Sequence, residues 1–225
     1  MHIGTQRRHS TPVEEEQVGL PFTLRQAEDQ SAPLFLLLHG RAGNRDVMWL
    51  FERALPKEAT ILSFQAPQID PIGGFSWWDI ATPGSSLRFA PTACALVADS
   101  FSRFLKHFRL SPQKTIALGF SQGAALLSVG AQLGTLPFDG FGLLAGFVVP
   151  VDQTEAKGGS EVRKVPVLIA HGTKDEVVPV EKAQEGRDAL LAQGFPVTYV
   201  EDEVGHKVGV GAIRELTGWF GNILS

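Results

Sequence analysis

The chain has 225 residues, 44% of them hydrophobic and 20% charged, with a net charge of −4. That is enough apolar material for one α/β core without disulfides or a structural metal, and a net negative charge argues against nucleic acid as the main partner. Cys94 is the only cysteine, so no intrachain disulfide can form and a thiolate metal cluster has no ligands.

Residues 1–12 read as a polar, aperiodic tail closed by Pro12, and residues 13–225 as a single domain. The first residues are basic but lack the apolar stretch of a secretory signal, and no run approaches the roughly 18 apolar residues of a membrane span. A cytoplasmic protein with no integral membrane association is the expectation. The acidic run 14–16 reads as a solvated face. "QVGLPFTLRQA" (17–27) predicts an edge strand, because Pro21 is tolerated only there or at a bulge.

From residue 34 two element types alternate. "LFLLLHG" (34–40), "ATILSFQA" (59–66), "TIALGF" (115–120), "GFGLLAG" (140–146), "VPVLIAHG" (165–172) and "PVTYVED" (196–202) are short and apolar on consecutive positions. Such runs predict strands buried on both faces. Between them, "TACALVADSFSRFLKHF" (92–108) carries Ala93, Leu96, Val97, Phe101, Phe104, Leu105 and Phe108 three and four apart, one helical stripe. Cys94 falls on that buried side as an inert small hydrophobe. The stretches 122–134, 180–194 and 210–224 also read as helices, with Gly134 and Gly194 as stops. Strands alternating with helices predict an α/β fold: a doubly wound, mostly parallel sheet with helices on both faces. "TEAKGGSE" (154–161) reads as a surface loop.

Within this frame "LGFSQGA" (118–124) places Ser121 between a strand and a helix in a Gly-x-Ser-x-Gly pattern. Small flanks at Gly119 and Gly123 permit a tight, strained elbow that exposes the hydroxyl. A serine hydroxyl needs a base to take its proton. Only His171 and His206 follow Ser121, and only His206 also follows the strand-end acid Asp175. The order Ser121, Asp175, His206 is that of a nucleophile, an orienting acid and a general base. Glu176, Asp202 and Glu203 are the rival acids; Asp175 ranks first because it ends a different strand from the histidine. The backbone N–H groups of Gln122 and Arg41 are the expected donors to an oxyanion. The Arg41 side chain has two readings, contact with a substrate anion or a surface ion pair. His39 and His171, each ending a strand beside a glycine, read as structural.

Taken together, "LLHGRAGNRD", "FQAP", "WWD", "GFSQG", "HGTKDEVVP" and "GH" resemble the carboxylesterase/phospholipase-like branch of the α/β-hydrolases, which includes acyl-protein thioesterases. The matching motifs follow the family's order over most of residues 34–220. Ala42 and Ala124 stand where family members often carry glycine, changes small enough to keep the backbone path. The resemblance implies a compact hydrolase with a minimal cap, Ser121, Asp175 and His206 as its triad, and the Arg41 and Gln122 amides as its oxyanion hole. It implies a small-molecule ester or thioester substrate and an acyl-enzyme intermediate. No metal or cofactor is expected, since the reacting groups are all protein groups. The segment 70–91 is rich in glycine and aromatics, and Phe75, Trp77 and Trp78 are candidate substrate contacts on a wall over the acyl pocket. An exposed aromatic loop at 75–78 would also provide a surface for a homodimer. The alternative is a ligand-binding receptor or scaffold on the same fold.

Overall fold

The computed structural model describes residues 6–80, 85–151 and 162–225. The expected surface loop at 154–161 lies outside them. The strands are β1 (Arg8–His9), β2 (Phe22–Arg25), β3 (Leu34–Leu38), β4 (Thr60–Phe64), β5 (Gln68–Ile69), β6 (Phe75–Ser76), β7 (Thr115–Phe120), β8 (Gly140–Leu144), β9 (Val167–Gly172) and β10 (Val197–Asp202). The helices are α1 (Pro12–Val18), α2 (Ser85–Phe108), α3 (Gln122–Leu133), α4 (Val180–Ala192) and α5 (Val210–Leu224), with a 3-10 helix at Val47–Ala54.

Eight strands form one sheet in the order β1-β2-β4-β3-β7-β8-β9-β10, while β5 and β6 form a separate hairpin. β2 is antiparallel to both its neighbours, and every other pairing in the large sheet is parallel. The inner parallel strands β3, β4, β7, β8 and β9 are covered on both sides, which explains their apolar runs, whereas β10, expected to be buried on both faces, is the sheet's edge and stays partly exposed. In β3, Leu34, Leu36 and Leu38 join one core with Phe101, Phe104 and Leu126. Phe35 and Leu37 point the other way, into a second core with Trp49, Leu216 and Phe220. Helices α1 to α4 supply the first core, and the 3-10 helix and α5 the second. Each of these buried Leu and Phe side chains contributes about 1.5–3 kcal/mol relative to exposure. Among the described residues no helix is long and apolar enough to cross a membrane.

Four sequence expectations change. The residues expected as a loose tail include β1, whose Arg8 and His9 pair with Leu24 and Thr23, so β2 lies inside the sheet and is not its edge. Pro12 opens α1 at a position where its missing N–H costs nothing. The acidic run is likewise engaged: Glu14 pairs with Arg8, and Glu15 with Arg45. Finally, α2 begins at Ser85 and carries Pro91 inside it, so the later part of the expected 70–91 wall is helix.

Candidate active site

Ser121 sits where β7 turns into α3 with φ 51° and ψ −110°, a conformation that L-residues disfavour. The turn is held from both sides. The Ser121 N–H donates to Leu144 O at 2.8 Å, and Ser121 O accepts from the Ala125 N–H at 3.0 Å. A Cβ at Gly119 would collide with Gly123 O, and one at Gly123 with Leu38 O. The hydroxyl therefore projects at the carboxyl end of the central strands, beside the positive end of α3.

Two other strand ends meet it there. His206 lies on the loop between β10 and α5, and its Nε2 is 3.1 Å from Ser121 Oγ. Its Nδ1 is 2.7 Å from Asp175 Oδ2, on the loop after β9. Asp175 Oδ1 accepts the N–H groups of Val177 and Val178, each at 2.9 Å. Burial pushes the Asp175 carboxyl upward, but the Val178 N–H, His206 and the Val177 N–H together outweigh it and hold the group below its ordinary value. The hydrogen-bond chain from serine through imidazole to carboxylate can therefore move a proton off Oγ while Asp175 stays charged.

The rival acids are engaged elsewhere or turned to solvent. Asp202 accepts the Gly211 and Ala212 N–H groups at 3.1 and 2.8 Å, capping α5 and anchoring the His206 loop. Glu203 pairs with Lys174, and Glu176 is exposed. His171 sits behind the acid, its Nε2 2.8 Å from Val178 O and 3.3 Å from Asp175 Oδ2. His39 is buried, with Nδ1 on Gly40 O at 2.7 Å and Nε2 accepting the Ala66 N–H at 3.0 Å. Both histidines thus bond to backbone at strand ends, as their sequence positions suggest.

The loop Gly40–Gly43 flanks Ser121 from β3. Ala42 adopts φ 58°, entering at a cost of about 1–2 kcal/mol the left-handed region that a glycine adopts freely. The backbone N–H groups of Arg41 and Gln122 have no hydrogen-bond partner among the described residues. The Arg41 guanidinium is committed to Asp70, with Nε 2.9 Å from Oδ2. Of its two readings, the ion pair is the one the side chain makes here. Arg41, Ser76 and the Ile72 N–H hold the Asp70 carboxyl down to about 2.

The aromatic expectation needs correction. Trp77 and Trp78 are 2% and 1% exposed, so neither ring offers a face to a substrate or a second copy. The Trp77 Nε1–H donates to His39 O at 2.8 Å, and its ring packs tilted against His39 with centroids 5.4 Å apart. Phe75 is half-buried, and its N–H donates to Gly43 O at 2.8 Å. Sequence reasoning also missed the Gln122 side chain. Its Oε1 accepts the Trp77 N–H at 2.9 Å, and its Nε2 donates to Trp78 O at 2.8 Å. Cys94 is buried, as expected, and burial pushes its thiol up to about 11.

A mostly parallel sheet with one antiparallel strand near its edge, carrying a serine elbow opposite a histidine and an acid, defines an α/β-hydrolase. The Phospholipase/Carboxylesterase family pattern matches residues 22–208, and the chain belongs to that family. It is 30% identical over 130 residues to acyl-protein thioesterase 1 of Kluyveromyces lactis, covering 54% of this chain and 56% of that protein. It is 28% identical over 116 residues to a probable carboxylesterase of Oryza sativa subsp. japonica, covering 51% of this chain and 44% of the other. The aligned part thus spans about half the length of these curated relatives. The fold is shared more widely. A Bacillus cereus carboxylesterase superposes with a TM-score of 0.80 at 18% identity, covering 94% of this chain and 98% of that one. A Mesorhizobium loti carboxylesterase gives 0.78 at 21% identity, with 96% and 98% covered.

Proposed function

We propose that the protein is a serine hydrolase of carboxylic esters or thioesters. The observation that carries this reading is the continuous contact from Ser121 Oγ to His206 Nε2, and from His206 Nδ1 to Asp175 Oδ2. Ser121 Oγ attacks the acyl carbonyl while His206 Nε2 takes its proton. Asp175 accepts the Nδ1–H and stabilises the imidazolium. The tetrahedral oxyanion lies between the amides of Gln122 and Arg41. Collapse breaks the bond to the alcohol or thiol, which leaves with the proton from Nε2, and the acyl group stays on Ser121. Water then attacks the acyl-enzyme with His206 as base, and the carboxylic acid departs.

Kinship with a thioesterase and a carboxylesterase supports the two leaving-group classes named. The test is hydrolysis of p-nitrophenyl esters from two to sixteen carbons, alongside acyl thioesters followed by thiol release, in wild type and Ser121→Ala. Turnover by wild type should fall at least about 10³-fold in the variant. Equal rates in the two, or none in either across both series, would favour the ligand-binding alternative.

A further inference from the structure

We propose that the segment 70–78 is a clamp that sets the spacing of the two oxyanion amides, with the Asp70 carboxylate and the Gln122 side chain as its positioning groups. This rests on the hydrolase reading above.

An oxyanion site works only if both amides lie about 2.7–3.1 Å from one point, so their separation has to be fixed by something outside the loops that carry them. The Arg41 loop cannot fix itself. Its one internal backbone hydrogen bond, from the Gly43 N–H to Gly40 O, is 3.2 Å long, and Ala42 is in the disfavoured left-handed region. Asp70 supplies the missing restraint. Its Oδ2 accepts from Arg41 Nε at 2.9 Å and from the Ser76 hydroxyl at 2.6 Å. With its proton given to Asp70, Ser76 Oγ is free to accept the Ala42 N–H at 3.2 Å. The Phe75 N–H adds a backbone bond to Gly43 O. One flank of the clamp is thus bonded to three consecutive residues of the Arg41 loop.

The other flank is bonded to Gln122. Its side-chain amide meets the N–H of Trp77 and the carbonyl of Trp78, while the Trp77 indole holds His39 O just ahead of the loop. Asp70, Ser76 and Gln122 are all buried, so water cannot substitute for these bonds without opening the packing. The two residues whose amides face the oxyanion are therefore tied, through their own side chains, to one nine-residue stretch. Misplacing a reacting group by about 1 Å can cost 10²-fold in rate.

The test compares Asp70→Asn and Gln122→Ala with wild type on a p-nitrophenyl ester, each rate divided by the active sites titrated with a fluorophosphonate. Neither change removes an oxyanion N–H or a triad member. The expected result is a kcat per active site lower by roughly 10–10²-fold with KM changed less than about threefold, and a matching loss of affinity for an alkylboronic acid that forms the tetrahedral adduct. A purely structural role would lower the melting temperature and the titrated fraction but leave kcat per site unchanged. That result in both variants would overturn the clamp while leaving the hydrolase reading intact. Absence of Ser121-dependent turnover in wild type would overturn both. Should Asp70→Asn not fold, Ser76→Ala removes only the acceptor of the Ala42 N–H and the donor to Asp70, and the same outcomes decide.

Discussion

Burial alone would raise the Asp175 carboxyl, and a protonated acid could not balance an imidazolium on His206. Three donors reverse that tendency: the Val178 N–H, His206 and the Val177 N–H. The two backbone amides hold Oδ1, leaving Oδ2 for the His206 Nδ1–H. That bond selects the tautomer in which Nε2 is bare and can take the Ser121 proton. Asp175→Asn keeps the size of the side chain but turns an amide donor toward Nδ1. The imidazole would then carry its proton on Nε2, facing Ser121, and could not act as base. Turnover of a p-nitrophenyl ester at neutral pH should fall by about 10⁴-fold, with the melting temperature near that of wild type. A fall of less than tenfold would mean that Asp175 does not set the tautomer.

At the scale of elements, α1 is the one whose stability depends most on its ends. It has seven residues and buries only Val18, too little for a helix to stand on its own. Its start is closed reciprocally: Thr11 Oγ1 accepts the Glu14 N–H at 3.3 Å, and Glu14 Oε2 accepts the Thr11 N–H at 2.8 Å. Thr11→Ala should cost about 1 kcal/mol, read as a lower urea midpoint, with ester turnover unchanged because α1 packs on α2 and carries none of Ser121, Asp175 and His206. Sequence reasoning missed this element, although Thr11, Pro12 and Glu14 spell a helix start. A seven-residue helix leaves no long period, and the two polar residues of β1 resemble a tail until Leu24 and Thr23 pair with them. The start of α2 was hidden because Pro91 reads as a helix stop. The central strands were legible, since a strand covered on both faces must be apolar at every position. Ser121, Asp175 and His206 were legible for a related reason: each follows a parallel strand, the buried β7 and β9 and the half-exposed edge strand β10, so the sheet itself aligns them. The clamp was not, because Asp70, Ser76 and Gln122 are isolated polar residues, and nothing local links Gln122 to Trp77, 45 positions away.

For the whole molecule, the central strands serve both as the core and as the platform for Ser121, and His39 couples the two. It directly follows β3 at full burial beneath the Arg41 loop. Its Nδ1–H is given to Gly40 O and its Nε2 receives the Ala66 N–H, so only the neutral ring fits. A proton on Nε2 would point at another donor. Burial, opposed only by the Gly40 carbonyl, lowers this histidine from an ordinary 6.5 to about 4. The unfolded chain therefore takes up a proton as pH falls through 6.5, while the folded chain does not until about 4. Where the unfolded state binds more protons, stability declines with falling pH. The decline should run across that window and stop contributing below it, totalling on the order of 3 kcal/mol. Against a typical total of about 5–15 kcal/mol that is a large share for one ring under the Arg41 loop. The carboxylates held below their ordinary values, Asp70 and Glu14 down to about 2 among them, act at lower pH, so the windows separate. Urea midpoints from pH 7.5 down to 4.5 should fall for wild type. His39→Gln can still offer a carbonyl to the Ala66 N–H and an N–H to Gly40 O, and it does not titrate. It should start lower at neutral pH, because the ring packed against Trp77 is lost, and then change far less with acid. Parallel slopes for the two proteins would mean that His39 is not the group that ties the fold's stability to pH.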